Sequence, residues 1–443
     1  MKKNYFIIAV ILILVMAANV YASGDFAGGT GFSSTPFQIT NWTHLNNVRN
    51  YLGAGNANVY FKLMNNLDSQ TAGYTSYASS TANGNQGWVP IGSGADANAF
   101  QGKFDGDYKK ISDLNIIRSG SNNIGLFGYA QNSTIKNLGI INSSITGSSN
   151  VGVLTGYNGG LIINCYSSGT LTSTNQYRGG LAGYNASVIT SSFSNTSVTG
   201  ASNFSGGLTG VNYYGTITNS YATGSVTGRI STGGLAGENY GGTILTSYST
   251  GRTTSSDDYL GGLVGRNRFS GVITNCFYDR ETSGQSDANG TPLYTISMVK
   301  SDSFTNATWN FTDTWTIVPN LSYPLLRWQT SDTPYAIAYT VNSVMSIPEA
   351  GSITLSANRC VKSGTISITA NSNFGYAFDS WVVTPNLGTL SSTTTATATY
   401  TFTDTNVTIT GYFRSTIKNW YVSDGSGNDN NGGTSGSPFK TIT

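Results

Sequence analysis

A four-residue phrase returns along the middle of the chain: Gly125-Leu126-Phe127-Gly128, Val153-Leu154-Thr155-Gly156, Gly180-Leu181-Ala182-Gly183, Gly207-Leu208-Thr209-Gly210, Gly234-Leu235-Ala236-Gly237 and Gly262-Leu263-Val264-Gly265. Its leucines step by 28, 27, 27, 27 and 28 residues. A fixed period of that length marks an array whose units are too small to bury a core alone, so the core must come from stacking one unit on the next.

Further columns keep the same phase. Ile162, Ile189, Ile217, Ile244 and Ile273 each precede an aromatic residue by four positions: Tyr166, Phe193, Tyr221, Tyr248 and Phe277. Even spacing along a strand places both members of each pair on one face. Leu171, Val198, Val226 and Thr253 follow five residues later, beyond a glycine or polar turn. Three short strands per unit describe one coil of a solenoid, with backbone amides pairing from coil to coil at about 4.8 Å.

Asn158, Asn185, Asn212, Asn239 and Asn267 stand in strand phase with the leucines. Stacked amides hydrogen-bond along such a row, as in asparagine ladders, and asparagine also tolerates a left-handed corner. A structural ladder accounts for this row better than a ligand groove does. Tyr129, Tyr157 and Tyr184 follow the glycine-leucine phrase with parity opposite to the leucines, which predicts an outward aromatic column. Such rings could stack on successive sugars; the strand propensity of tyrosine explains them equally simply.

Five units with matched columns make the chain resemble the GLUG-repeat family of secreted bacterial proteins. The likeness extends to Trp88-Val89-Pro90-Ile91-Gly92 and Phe100-Gln101-Gly102-Lys103-Phe104-Asp105-Gly106 upstream, and to Trp315 and Tyr323-Pro324-Leu325-Leu326 downstream. The resemblance implies an all-β fold, a right-handed parallel β-helix of 27-residue coils. Some members of the family are joined to immunoglobulin-cleaving metallopeptidases; this chain has a single histidine, His44, so only the repeat carries over. Two features depart from the pattern. Val153 replaces the first glycine of the phrase, and Ile135 lacks an aromatic four residues on, which blurs the register of the first coils.

The flanks read differently. Residues 1–22 have the form of an export signal, with Lys2 and Lys3 before an apolar stretch and small residues ending at Ala22, where cleavage is expected. Residues 23–118 are expected to form an N-terminal cap and one irregular coil, with Asn41 capping a helix that bears Leu45, Val48 and Leu52 and with a strand over Val59–Leu63. The regular solenoid is expected over 119–278, six coils or roughly 29 Å, and a C-terminal cap over 279–332. There Trp309, Trp315 and Trp328 are large enough to cover an open coil end. After Asp332-Thr333-Pro334 the alternating runs Thr365-Ile366-Ser367-Ile368-Thr369 and Val407-Thr408-Ile409-Thr410-Gly411-Tyr412-Phe413 predict a small all-β module over 335–415. Its phrase Gly375-Tyr376-Ala377-Phe378-Asp379-Ser380-Trp381 resembles the divergent internalin-type B-repeats. Residues 418–443 resemble the opening strand of a pectate-lyase-like β-helix, either cut short or disordered.

Composition narrows the chemistry. Lysine and arginine total 22 against 20 acids, with no basic run after the N-terminus, so nucleic acid is not an expected partner. No Asp or Glu lies between Asp113 and Glu238, which leaves those coils without the paired carboxylates of a glycosidase or the oxygen ligands of a calcium site. Acids do gather at Asp257-Asp258 and at Asp279-Arg280-Glu281, near Arg266 and Arg268, and read as a solvated charge network. The run Asp424-Gly425-Ser426-Gly427-Asn428-Asp429-Asn430 lacks calcium-loop spacing. Cys165 and Cys276 hold equivalent places four coils apart, too far for a disulfide. No catalytic residue, cofactor or metal site is expected. The reading is a secreted or cell-surface solenoid acting as adhesin or extracellular scaffold, with an extracellular glycan or host matrix as partner and no membrane span after signal cleavage. The alternative is a non-catalytic part of a larger polysaccharide lyase or hydrolase.

Overall fold

The computed structural model describes residues 23–320, 322–329, 339–357, 359, 360, 365–403 and 405–416. The expected export signal, the Asp332-Thr333-Pro334 linker and the segment 418–443 lie outside them. The chain divides into two compact units, one of Met1–Thr316 with Leu325–Asp332 and one of Ile317–Pro324 with Thr333–Thr443.

The first unit is a parallel β-solenoid of about nine turns. One interior column runs its whole length: Phe37 pairs with Phe61, Phe61 with Phe104, Phe104 with Ile135, then Ile162, Ile189, Ile217, Ile244 and Ile273 in unbroken register. Eight steps at ~4.8 Å span roughly 38 Å. The stack therefore begins well upstream of 119, and most of the expected cap is itself coiled. Those first turns escape a periodicity search because insertions between them are long and irregular, and because phenylalanine rather than isoleucine fills this column there. Phe26, Phe37, Phe61, Phe100 and Phe127 form one connected aromatic interior. The helix Trp42–Asn47 lies beside it, capped as expected by Asn41, whose side chain accepts from the His44 amide at 2.9 Å.

Each regular coil is cut into five short strands rather than three. The seventh turn shows it: Thr209–Tyr213, Thr216–Thr218, Tyr221–Ala222, Val226–Gly228 and Thr232–Gly233. Left-handed residues make the extra corners, at Asn137, Asn164, Ser191, Asn219, Thr246 and Asn275, and again at Asn123, Asn150, Tyr177, Phe204, Ser231 and Tyr259. Six leucines of the repeat phrase are fully buried, so one continuous core fills the stack.

The first set of corners overturns one expectation. A left-handed residue between Ile162 and Tyr166 resets the alternation, so Ile162 and Cys165 point into the core while Tyr166 points out. The aromatic residues thus stack on the outer surface: Tyr166 on Phe193 at 4.9 Å, Phe193 on Tyr221 at 4.7 Å and Tyr221 on Tyr248 at 4.8 Å, all within 10° of parallel. They are buried nevertheless, because Trp309, Trp315 and Trp328 return along the side of the solenoid and roof them. Trp328 lies against Tyr166 and Phe193, Trp315 against Tyr221 and Tyr248, and Trp309 against Tyr248 and Phe277. Indole nitrogens of Trp328 and Trp309 donate to the corner carbonyls of Ser191 and Asn275, each at 2.9 Å. These tryptophans form a lateral strap, not the end cover expected. Part of the last turn is covered by Thr291–Leu293, which pairs in parallel with Phe277–Asp279.

The blurred register of the early coils resolves at Gly139, which takes the aromatic position opposite Tyr166. A Cβ there would come within 2.4 Å of the Tyr166 ring, so the ladder starts where glycine gives the first ring a seat.

The second unit builds two four-stranded sheets around Ile366, Ile368, Trp381, Tyr400, Ile409 and Phe413. Trp381 of the aromatic phrase is buried and donates its indole N–H to Thr395 O at 2.9 Å. No helix among the described residues is long and apolar enough to cross a membrane.

Candidate functional site

The outward face of the strands that follow the leucines carries a second, uncovered aromatic ladder. Tyr129 stacks on Tyr157 with centroids 4.1 Å apart and planes within 6°, and Tyr157 on Tyr184 at 5.2 Å and 16°. In-register pairing of Tyr129, Tyr157 and Tyr184 imposes this contact. It also removes what the sequence reading wanted from them. Tyr157, stacked on both sides, presents only its edge and hydroxyl to solvent, and Tyr129 and Tyr184 each give it one face, so these three tyrosines do not form a row of open platforms. Burial pushes the Tyr129 hydroxyl up to about 12, with Tyr157 adding to the shift, and burial likewise raises that of Tyr184.

The ladder continues where the spacing of the repeat phrase could not show it. Val211 replaces tyrosine at the register position of Tyr184 and is buried. Two residues on, still on the outer face, Tyr213 takes up the column 5.5 Å from Tyr184, followed by Tyr240 at 4.9 Å and Phe269 at 4.1 Å. Tyr177 stands edge-on to Tyr184, and Tyr214 edge-on to both Tyr213 and Tyr240. Phe269, Tyr259 and Tyr214 are about half or more exposed, at 57%, 47% and 60%.

Arginine closes this end. Arg268 lies over Tyr240 and over Phe269, 5.2 Å from each centroid, and its Nε donates to Glu238 Oε1 at 2.6 Å. Arg266 lies over Tyr259 at 4.3 Å. Glu238 is otherwise buried, so the pair is held in place by the rings around it. The result is an exposed cluster of aromatic faces and edges with guanidinium, carboxylate and phenol groups at its rim.

The remaining sequence candidates serve the scaffold. Asn158 Nδ2 donates to Asn185 Oδ1, Asn185 to Asn212, Asn212 to Asn239 and Asn239 to Asn267, all at 2.7–2.9 Å. None of the five has a left-handed backbone; the corners belong to other residues. Asp279 is fully buried, its Oδ1 accepting from the amides of Glu281 and Thr282 and its Oδ2 from Thr295 Oγ1, while Glu281 accepts from the Thr295 amide. These acids cap a helix start instead of facing a substrate. Asp257 pairs with Arg229 at 3.6 Å in an exposed contact. No group of three or more His, Cys, Asp or Glu among the described residues could hold a metal ion.

One buried charge carried no sequence signal. Arg178 is fully buried, and burial lowers it to about 10. Its donors reach Ser205 Oγ at 2.8 Å, Asn175 O at 2.6 Å, and the carbonyls of Ser202 and Asn203. Saturated by one corner of the coil, it ties adjacent turns together. A hollow of about 570 Å³ on the first turns is lined by Lys62, Lys103, Lys136 and Asp105 among others. Its charges are spoken for by Lys62–Asp107 and Lys136–Asp105 pairs at 3.1 Å and by Lys103 donating to Asn132 O.

Comparison with known proteins agrees with this architecture. A 36% identical stretch of 140 residues, 31% of this chain, matches a protein of Evansella cellulosilytica described as "Putative Gly-rich membrane protein", and a 33% identical stretch of 118 residues, 26% of this chain, matches halomucin of Haloquadratum walsbyi. The chain spans 15% and 1% of the length of these relatives. Among solved structures, a "putative immunoglobulin A1 protease" of Bacteroides ovatus superposes with a TM-score of 0.53 at 23% identity, over 69% of this chain and 96% of that one, a likeness of fold. Residues 205–227 match the GLUG motif and residues 339–417 the divergent InlB B-repeat domain. The chain thus carries a GLUG-motif β-solenoid followed by a divergent InlB B-repeat domain.

Proposed function

We propose that this chain is a non-catalytic, surface-displayed solenoid that acts as an adhesin or extracellular scaffold, with the uncovered aromatic ladder as its contact face toward extracellular glycan or matrix. One observation carries the reading. Of two aromatic ladders on the solenoid, the strap roofs one, whereas the other runs over six rings and ends in an exposed aromatic and arginine cluster. Exposed rings with polar rims suit ligands that are apolar on one face and hydroxylated at the edge. Glu238 and Asp257 are ion-paired and Asp279 caps a helix start, which argues against acid–base chemistry by these three acids. The two curated relatives, a membrane protein by description and halomucin, support display at a cell surface.

The test is retention of the full chain on immobilised polysaccharides and matrix proteins, with reducing ends assayed in parallel. Retention without release of new reducing ends is expected. Steady release of sugar products would overturn the non-catalytic reading, and failure to be retained on any of them would overturn the adhesive one.

A further inference from the structure

Tyr214 differs from every ring of the ladder beside it. It stands at 88° to Tyr213 and at 76° to Tyr240, so it lies across the ladder instead of within it. The ring rests on the backbone of Gly241, where a Cβ would come within 2.4 Å of Cε1. Both residues are left-handed, Tyr214 with φ 49° and Gly241 with φ 63°. A bulky residue holds that conformation only where its surroundings enforce it. Packed on Gly241 and edge-on to Tyr213 and Tyr240, Tyr214 is still 60% exposed. Phe269 occupies the same corner two coils on, since Asn212, Asn239 and Asn267 are in register. It too is left-handed, with φ 52°, and 57% exposed. Two coils correspond to about 9.5 Å, the length scale of a disaccharide along the solenoid axis.

We propose that Tyr214, seated on Gly241 and flanked by Phe269 and the Arg268–Glu238 pair, is a stacking subsite for a neutral pyranose polymer. This inference rests on the adhesive reading above and places its contact at one ring. The chemistry favours an uncharged ligand because two of the three arginines around the cluster are ion-paired, Arg268 with Glu238 and Arg229 with Asp257, and the third, Arg266, lies over the Tyr259 ring. An open ring face takes the apolar side of a pyranose, and the carboxylate, guanidinium and phenol groups at the rim exchange hydrogen bonds with its hydroxyls.

The experiment is affinity electrophoresis of the full chain in a neutral galactomannan, in a neutral β-glucan and in polygalacturonate, at low and high salt. Tyr214→Ala is expected to weaken binding to a neutral polymer by roughly tenfold, while Tyr214→Phe retains it. Unaltered melting of the exposed Tyr214 variants confirms that the fold is intact. Wild-type binding that Tyr214→Ala leaves unchanged would overturn the subsite while the adhesive reading stands. Binding to polygalacturonate alone, abolished by salt, would overturn the neutral ligand class. Retention on matrix protein with no polysaccharide binding would overturn the inference altogether.

Discussion

The five asparagines show how one residue type divides its work by position. At 158, 185, 212, 239 and 267 the side chain turns inward, where each of the first four amides donates to the next over intervals of 27 or 28 residues. At 137, 164, 219 and 275 asparagine instead supplies the left-handed backbone of a corner. Sequence spacing found the first row and credited it with both roles; only the backbone angles separate them. Asn212 is the middle rung, and its Nδ2 serves both Asn239 Oδ1 and Gly215 O. Asn212→Ala strips the donor from two buried acceptors, each costing about 1–3 kcal/mol, so a loss of about 2–4 kcal/mol is expected in chemical denaturation. A change no larger than that of an exposed substitution would show that the ladder contributes nothing to stability.

At the scale of elements, the informative failure is the parity of the isoleucine–aromatic pair. Alternation holds only within one uninterrupted strand, and a left-handed residue at 164, 191, 219, 246 or 275 falls inside each pair. The outward aromatic ladder that results would be a large exposed apolar face without the strap. Trp315, fully buried against Tyr221 and Tyr248, is its central contact. Trp315→Ala should cost about 3–5 kcal/mol and make the segment from Phe304 to Thr316 the first site of limited proteolysis. A loss below about 1 kcal/mol, with the same cleavage pattern as wild type, would mean that the strap is held by something other than its tryptophans. The tryptophans were conspicuous in the sequence as apolar cover, but what they cover depends on a surface that no single coil contains.

For the molecule as a whole, stacking distance decides what can meet. Cys165 and Cys276 occupy one column, separated by Ser192, Ser220 and Ser247, whose hydroxyls accept from the backbone amides one turn before. Both thiols are buried and unbridged, and four coils place them roughly 19 Å apart. Burial pushes each up to about 12 from an ordinary 9.0. Because the folded value is the higher one, their contribution to stability is complete below pH 9 and declines as pH rises toward about 12. Iodoacetamide at pH 8 should therefore leave both unmodified in the native protein and label both in denaturant; an intramolecular Cys165–Cys276 bridge found by mass spectrometry would refute the stack.

The sequence alone determined that the chain coils, because a 27-residue period with leucine, isoleucine and asparagine in phase has one economical way to bury its apolar residues. It also determined the buried amide row and the small β module, since strand alternation and short aromatic phrases are local properties. Tertiary structure decided the rest. It set where the stack begins, because phenylalanine fills the first turns at irregular intervals. It decided which aromatic ladder is roofed and which lies open, because the corner residues set side-chain direction and the strap comes from far along the chain. It decided, finally, that Tyr129, Tyr157 and Tyr184 stack on one another while Tyr214 lies across the ladder and stays 60% exposed. Whether a ring can receive a ligand depends on what its neighbours in the adjacent coils cover, and those neighbours are brought together only by folding.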